Sequence, residues 1–410
     1  MANIKNILRL LKIRVKRFIV DRRGYGIRGV SKPIVDFTAD RQSVRINLVL
    51  LNLRSSDVYG GMATAIRFFH AIRPNFPRAR LVILNESDRD FEPAAWLGWT
   101  LDSENKDGAQ TIAFIAEPKS PLNVGSNDYF IATHWITANY VIALIKLQAM
   151  AFKKKLYRFV YLIQDFEPGF YPWSTNYLLA DGTYRETENT IAVFNTKLLA
   201  DYFVASQYKF SGTHYFEPKL NSSLAAHATA LPHHPKKRLL ILYGRPAQNR
   251  NAFELVAETM KFWAENYSGA EKWSVISLGV QHRDIRLSET AVMISKGKVS
   301  LETYATYLLD ASVGLSLMVS PHPSYPPLEM AEFGVRVVTN NFAEKDLSTR
   351  SPFITGVKVA TPENLALALI KNCELFETGN AELGKMPPRA FLGNETEFQF
   401  IEEITAQVLK

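Results

Sequence analysis

The sequence predicts an α/β protein of two doubly wound, Rossmann-like domains that face each other across a cleft. Three observations predict it. Short apolar runs alternate with longer helical patterns along most of the chain. The alternation breaks once, into prolines and charge at Leu231–Lys237 (LPHHPKK), and then starts again. The 410 residues exceed one core of ordinary size and suit two domains of about 150–200 residues.

In the first half, Val44–Leu53 (VRINLVLLNL) reads as a strand, followed by the Gly60-Gly61 turn and the helical pattern MATAIRFFHAI. Further strands are expected at Arg80–Leu84, Tyr129–Thr133, Phe159–Gln164 and Ile191–Phe194, with helices over Ile136–Phe152 and TKLLADYFVASQY. The stretch WITANYVIALIKLQAMAF carries Lys146 and Gln148, so it reads as a buried helix rather than a membrane span. In the second half, RLLILYGRP is a strand and turn, and Ala252–Tyr267 a helix. Trp273–Gly279 and Ala291–Gly297 are strands, and SLETYATYLLDA is a helix. Val313–Val319 is a strand, Pro326–Phe333 a short helix and Arg336–Asn340 a strand. Pro362–Leu375 is helical. The resulting division is an arm over 1–32, an N-terminal domain over 33–232, a C-terminal domain over 238–394 and a polar helical tail over 395–410.

The net charge of +8 does not point to nucleic acid, because of where it lies. Residues 1–32 hold ten Lys or Arg against one acid, a local charge of +9, so the rest of the chain carries −1. The arm places Ile4, Ile7, Leu8, Leu11 and Val15 at helical spacing with basic residues between them. Charges interrupt every apolar run, which excludes a signal peptide, and the segment is too short and charged to span a bilayer. Such a helix can lie on an anionic membrane surface; a solvated arm or a helix packed on the body is the alternative. The single cysteine, Cys373, lies in an apolar helical pattern and reads as an inert core residue. One cysteine excludes an internal disulfide and a cysteine-based metal site. Asp88-Arg89-Asp90 reads as a chance string, His233-His234 has no third ligand nearby, and no metal is assigned.

The segment Val313–Asn340 (VGLSLMVSPHPSYPPLEMAEFGVRVVTN) carries the most chemistry. A buried strand enters a proline-rich loop and then a helix. Pro326 and Pro327 suit the first turn, and Gly334 the position past the end. The helix N-terminus favours a phosphate, with N–H donors expected from Ser324, Tyr325 and Leu328. Tyr325 suits a phosphate bond or stacking. A carboxylate beside phosphate would repel it, so Glu329 is expected on a sugar hydroxyl, or else as a surface acid that complements the dipole. Arg245 follows a strand, and Arg250 lies five residues on, at the mouth of a helix. Two guanidinium groups there suit a diphosphate; a surface charge cluster is the plainer alternative. In the first half, Gly60-Gly61, His134 and Gln164-Asp165 each follow or end a strand, and Asp165 and Glu167 can orient an acceptor hydroxyl.

This pattern resembles retaining glycosyltransferase family 4, whose hallmark is two glutamates separated by seven residues. Glu329 matches the second, which in that family holds the donor ribose. Pro321 stands where the first should be, and Arg336 replaces a proline usual after the glycine. The variant form, with YLIQDFEPGFYPW (Tyr161–Trp173) and ILYGRPAQNRNAFEL (Ile241–Leu255), is similar to the WsaF-like bacterial rhamnosyltransferases of surface glycans, over residues ~45 to the C-terminus. The resemblance implies the GT-B fold, with the tail crossing back onto the N-terminal domain. It implies dTDP-β-L-rhamnose as donor, retention of configuration and a glycan acceptor, lipid-linked or not. It implies that Arg245 and Arg250 hold the diphosphate and Lys298 lines the nucleotide pocket. Gly60 and Gly61 would then stand near donor phosphate and acceptor, and Gln164 would replace a histidine near sugar C6. Arg245, Glu329 and Asp165 are the expected catalytic residues, with no cofactor beyond the nucleotide sugar. A cytoplasmic location, peripheral on the inner face of the cell membrane, follows as an expectation. A transferase or epimerase of another nucleotide sugar, a non-catalytic membrane-docked assembly protein, and a homodimer stay open.

Overall fold

The computed structural model describes residues 32–38, 43–53, 60–87, 95–105, 108–116, 121–186, 188–228, 234–379 and 397–410. The basic arm up to residue 31, Asp88-Arg89-Asp90 and His233 lie outside the described residues.

The first half is built on strands β1 (Val35–Thr38), β2 (Arg45–Leu50), β3 (Arg78–Ile83), β4 (Thr100–Leu101), β5 (Gln110–Phe114), β6 (Leu122–Gly125), β7 (Asp128–Ala132), β8 (Phe159–Ile163), β9 (Thr190–Asn195) and β10 (Gly212–Phe216). Eight of them form a parallel sheet in the order β10-β9-β8-β7-β2-β3-β5-β4, and β1 pairs with β6 alongside. β2, β7, β8 and β9 are buried at every residue. Burial on both faces is what a parallel sheet needs, and it explains why their sequences read as unbroken apolar runs. Helices α1 (Gly61–Ile72), α2 (Trp135–Phe152), α3 (Thr175–Tyr184), α4 (Lys197–Ala205) and α5 (Ser222–Ala228) complete this half. α2 is long and apolar enough to cross a membrane by length and composition. Here Ala138, Val141, Leu144 and Ile145 enter the core against β8 and β9.

The second half uses β11 (Lys237–Gly244), β12 (Ser274–Gly279), β13 (Ile285–Arg286), β14 (Val292–Gly297), β15 (Ala311–Leu315), β16 (Arg336–Asn340) and β17 (Ile354–Val357). Their order is β13-β14-β12-β11-β15-β16-β17, parallel except at β13. α6 (Phe253–Asn266), α7 (Leu301–Asp310), α8 (Tyr325–Glu332) and α9 (Pro362–Glu377) complete it, with separate cores on the two faces of the sheet. Cys373, on the buried face of α9, is fully buried, and burial pushes its thiol up.

The last helix, α10 (Ile401–Leu409), packs on the first half. Phe398, Ile404 and Val408 join the core beside β2 and β3. Phe398 meets Phe68 and Phe216 with ring centroids 5.2 and 5.0 Å apart. Arg67 clamps Glu397 through two bonds of 3.0 and 2.9 Å.

Both sheets reverse direction in the middle. The chain runs outward from β2 to one side and from β7 to the other, then from β11 to one side and β15 to the other. Ligands of doubly wound sheets bind beyond the carboxyl ends at such switch points. At the opposite end of the first sheet, Arg45 pairs with Asp128 at 2.6 Å in a fully buried network that includes Arg80 and Asp102. It ties strand beginnings together, and its place at the amino ends marks it as structural.

Candidate active site

The carboxyl ends of both sheets meet at one seam. From the first half come Gly60-Gly61, His134, Gln164-Asp165 and Asn195; from the second come Arg245, Arg250 and the loop from Leu317 to Tyr325. Asp165 accepts the Ser320 hydroxyl and faces Arg250 at 3.4 Å. Asn195 donates to the Tyr325 hydroxyl at 3.0 Å, and the Arg250 guanidinium lies 4.4 Å over the Phe170 ring.

Backbone strain concentrates along this seam. Of the six non-glycine residues with positive φ among the described residues, four, Thr196, Ala252, Ser324 and Ala343 (97, 46, 70 and 47°), lie in segments that lead from a strand's carboxyl end, and Lys153 and Gln207 follow helices. Non-glycine residues are held there only where the surroundings over-determine them.

Gly60 takes φ 51° at the entry to α1, a conformation glycine adopts freely. The Gln164 amide donates to the Gly61 carbonyl at 2.8 Å, and a Cβ on Gly61 would stand 2.9 Å from Gln164 Oε1. These residues, far apart in sequence, form one contact.

His134 caps α2. Its Nδ1 accepts from Ile136 N–H at 3.2 Å, and Thr137 closes the reciprocal bond. Burial depresses the imidazole to about 4, so it is neutral at physiological pH. Its Nε2 stands 4.0 Å from Glu167. Glu167 itself is turned inward. It accepts from Trp135 N–H at 2.6 Å and from the Tyr161 and Tyr184 hydroxyls at 3.1 and 3.4 Å, and it is almost wholly buried. Burial pushes its carboxyl up to about 8. The structure gives Glu167 to the start of α2, in place of the expected acceptor hydroxyl.

Arg245 stands just past β11. Its guanidinium donates to the Tyr243 hydroxyl at 3.4 Å, and among the described residues no carboxylate pairs with it. Arg250, expected to share the diphosphate with Arg245, here reaches across the seam to Asp165. Lys298 is exposed past the end of β14, two strands from β11. The α8 N-terminus differs in detail from expectation. Ser324 N–H is spent on His322 Nδ1 at 3.0 Å, and its hydroxyl makes no cap bond. Glu329, half-buried, accepts from the Tyr304 hydroxyl at 2.9 Å. Burial raises the carboxyl to about 7, with the Tyr304 bond pulling the other way. Burial and the charge of Glu329 hold Tyr304 well above the usual phenol range, so it remains the donor.

Sequence reasoning missed four residues: Tyr304, Ser320, His322 and Lys345. His322 is 5 % exposed. Its Nδ1 accepts a backbone proton, which leaves the proton of the neutral ring on Nε2. That atom has no partner among the described residues. Burial depresses the ring to about 4. Gln164 Oε1 and Asn195 Oδ1 are likewise buried and unpaired. An unpaired buried polar atom costs ~1–3 kcal/mol, and three along one seam are what a polar ligand would satisfy. The position of His322 beside Pro321 offered no periodic cue to this. Among the described residues, no group of three His, Cys, Asp or Glu is disposed to hold a metal ion.

Comparison with known proteins agrees with this architecture. The family model described as WsaF, N-terminal domain, matches residues 45–197, and WsaF, C-terminal domain, matches residues 238–370. The O-antigen biosynthesis protein RfbC of Myxococcus xanthus is 31% identical over 290 residues, 69% of this chain and 21% of that protein. The chain thus spans about a fifth of that relative's length. Among solved structures, Anabaena HepE in complex with UDP and glucose superposes with a TM-score of 0.55 at 12% identity, covering 90% of this chain and 99% of that one. Sucrose-phosphate synthase from Thermosynechococcus elongatus gives 0.56 at 12% identity over 89% and 98% of the two chains. Trehalose 6-phosphate synthase from Burkholderia multivorans gives 0.56 at 10%, again over 89% and 98%. Likenesses at such identity speak to the fold, which is GT-B. With both halves matched by its models, the chain belongs to the WsaF family and has the GT-B fold of glycosyltransferases.

Proposed function

We propose that the chain is a retaining glycosyltransferase that moves L-rhamnose from dTDP-β-L-rhamnose to a growing surface glycan. One observation carries the reading most: at the switch point of the second sheet, the guanidinium of Arg245, unpaired with any carboxylate among the described residues, stands past the β11 end. An arginine left so is available to a phosphate. The start of α8 offers a second positive end, and Glu329 an acceptor for a sugar hydroxyl. The family membership, the O-antigen relative and the UDP and glucose held by HepE support the same class of donor.

In this reading the slow step is departure of the diphosphate from an oxocarbenium-like sugar. Arg245 and the α8 end stabilise the charge that develops on the leaving oxygen. The bond from sugar C1 to the diphosphate oxygen breaks, the bond from C1 to the acceptor oxygen forms, and the acceptor proton passes to the departing phosphate. No protein nucleophile is needed. Lys298 and Tyr325 line the donor side, and Gly60, Gly61, His134 and Gln164 the sugar and acceptor side. Gln164, where related enzymes carry a histidine near C6, is compatible with a sugar that lacks the C6 hydroxyl. The basic arm would bring the enzyme to the membrane face where lipid-linked acceptors reside.

The test is a thermal-shift and transfer panel of dTDP-, UDP-, GDP- and ADP-linked sugars, since a specific ligand raises stability by mass action. dTDP-rhamnose should stabilise most and be consumed. A clear preference for UDP or GDP sugars would remove the rhamnose assignment, and inertness to all of them the enzyme assignment.

A further inference from the structure

We propose that Asp165 and the donor diphosphate compete for Arg250, so that arrival of the donor frees the Asp165 carboxylate for the acceptor. This rests on the donor site proposed above, with Arg250, five residues past Arg245, taking part in the same diphosphate contact.

Asp165 stands past β8 and is 6 % exposed. Its Oδ1 accepts from Phe166 N–H at 2.8 Å and from the Ser320 hydroxyl, while Oδ2 faces Arg250 Nη1 at 3.4 Å. Arg250 sits in the short turn Asn249–Asn251 of the other half. Its carbonyl accepts from Val319 N–H at 2.7 Å, so the turn is fixed to the loop that carries Ser320. The side chain reaches across the seam and rests on Phe170.

The contact with Asp165 is a long one, 3.4 Å from Nη1 to Oδ2. A guanidinium offers five donors and pairs best through two parallel bonds. A diphosphate carries more charge than one carboxylate and accepts in that paired form, so it is the stronger claimant. A further base stands near Asp165: Lys345, buried with Nζ 2.6 Å from the Met318 carbonyl, is lowered by burial to about 7, and the Asp165 carboxylate pulls it back up. With the donor bound, Oδ2 is free to accept a hydrogen bond from an incoming hydroxyl. Without it, that oxygen is taken. Asp165 is thus a positioning residue whose availability reports donor occupancy, and the donor binds before the acceptor.

The test is calorimetric binding of dTDP to the unsubstituted protein, Asp165→Asn, Arg250→Ala and the double variant. Removing the competitor should tighten dTDP binding roughly fivefold, the scale of a partly exposed ion pair. In the Arg250→Ala background the same change should have no effect. Unchanged or weaker binding by folded Asp165→Asn overturns the proposal. So does equal tightening without Arg250, because the effect would then be bulk charge. Should Asp165→Asn fail to fold, the side-chain 15N resonance of Arg250 in the unsubstituted protein decides. It should move as dTDP saturates, and a stationary signal at saturation overturns the proposal. If Arg245→Ala also leaves dTDP binding intact, the donor site itself is misplaced; if Arg245→Ala abolishes binding, a failed Asp165 test removes this inference alone.

Discussion

Tyr304→Phe isolates the protonation of Glu329. The change deletes one hydroxyl and keeps the ring, so packing against the second-half core survives. What is lost is the 2.9 Å bond to Glu329. That bond favours the ionised carboxyl, which burial alone would push above its value of about 7. A hydrogen bond to a charged group is worth ~1.5–3 kcal/mol, and one pKa unit corresponds to ~1.4 kcal/mol. The midpoint should therefore rise by roughly one unit. The ionised form is the acceptor for a sugar hydroxyl, so nucleotide affinity should climb with pH through about 7 in the parent and about one unit higher in the variant. At pH 7 the variant should bind dTDP about fivefold more weakly, and at pH 9 nearly as well as the parent. Calorimetric titrations from pH 6 to 9 read this directly. The ligand's own phosphate titration is common to both proteins and cancels in their ratio. A ratio that stays constant with pH would refute the argument that ionised Glu329 holds the nucleotide.

Arg245→Ala should cut turnover by ~10²–10³ and weaken dTDP binding while leaving the unfolding temperature without ligand nearly unchanged; Arg245→Lys should recover only part, as steady-state kinetics and thermal scans will show. Glu167, held at about 8 in the fold against a usual value near ~4.3 when unfolded, is a raised acid. Its share of stability is fully present below the unfolded pKa and is lost as pH rises toward 8, because the unfolded chain releases a proton that the fold retains. Unfolding midpoints between pH 5 and 8 should fall less steeply in Glu167→Gln than in the parent, and parallel curves would show that the carboxyl is ionised throughout. Deleting residues 1–32, which hold +9 of charge, should weaken cosedimentation with anionic liposomes; equal cosedimentation would place the membrane contact elsewhere.

The strands that position the site were legible because they are buried on both faces. Runs such as FVYLI and RLLILYG leave little choice, and their order follows from the alternation with helices. Short strands with polar residues were not legible: Gln110–Phe114, Gly212–Phe216 and Ile354–Val357 pair at or near sheet edges, where the local sequence constrains less. The same divide runs through the site. Arg245, Gly61 and Glu329 sit next to recognisable strand ends or prolines, so local chemistry singled them out as candidates. Tyr304 reaches Glu329 from the neighbouring helix α7, and Ser320 reaches Asp165 from the other half of the chain. Neither pairing has any spacing in sequence. Glu167 was misjudged for the related reason that the direction of a side chain is set by partners, here Trp135, Tyr161 and Tyr184. Arg250 was correctly expected at a helix mouth, but its reach to Asp165 depends on how the two halves close.

The central claim is that a nucleoside diphosphate sugar binds at the carboxyl ends of β11 and β15. The most direct measurement is a crystal structure of the protein with dTDP or dTDP-rhamnose. The account predicts phosphate oxygens within hydrogen-bond reach of the Arg245 guanidinium and the start of α8, with the nucleoside sugar against Glu329. A nucleotide bound elsewhere, or one at this seam with Arg245 and Glu329 out of reach, would contradict it.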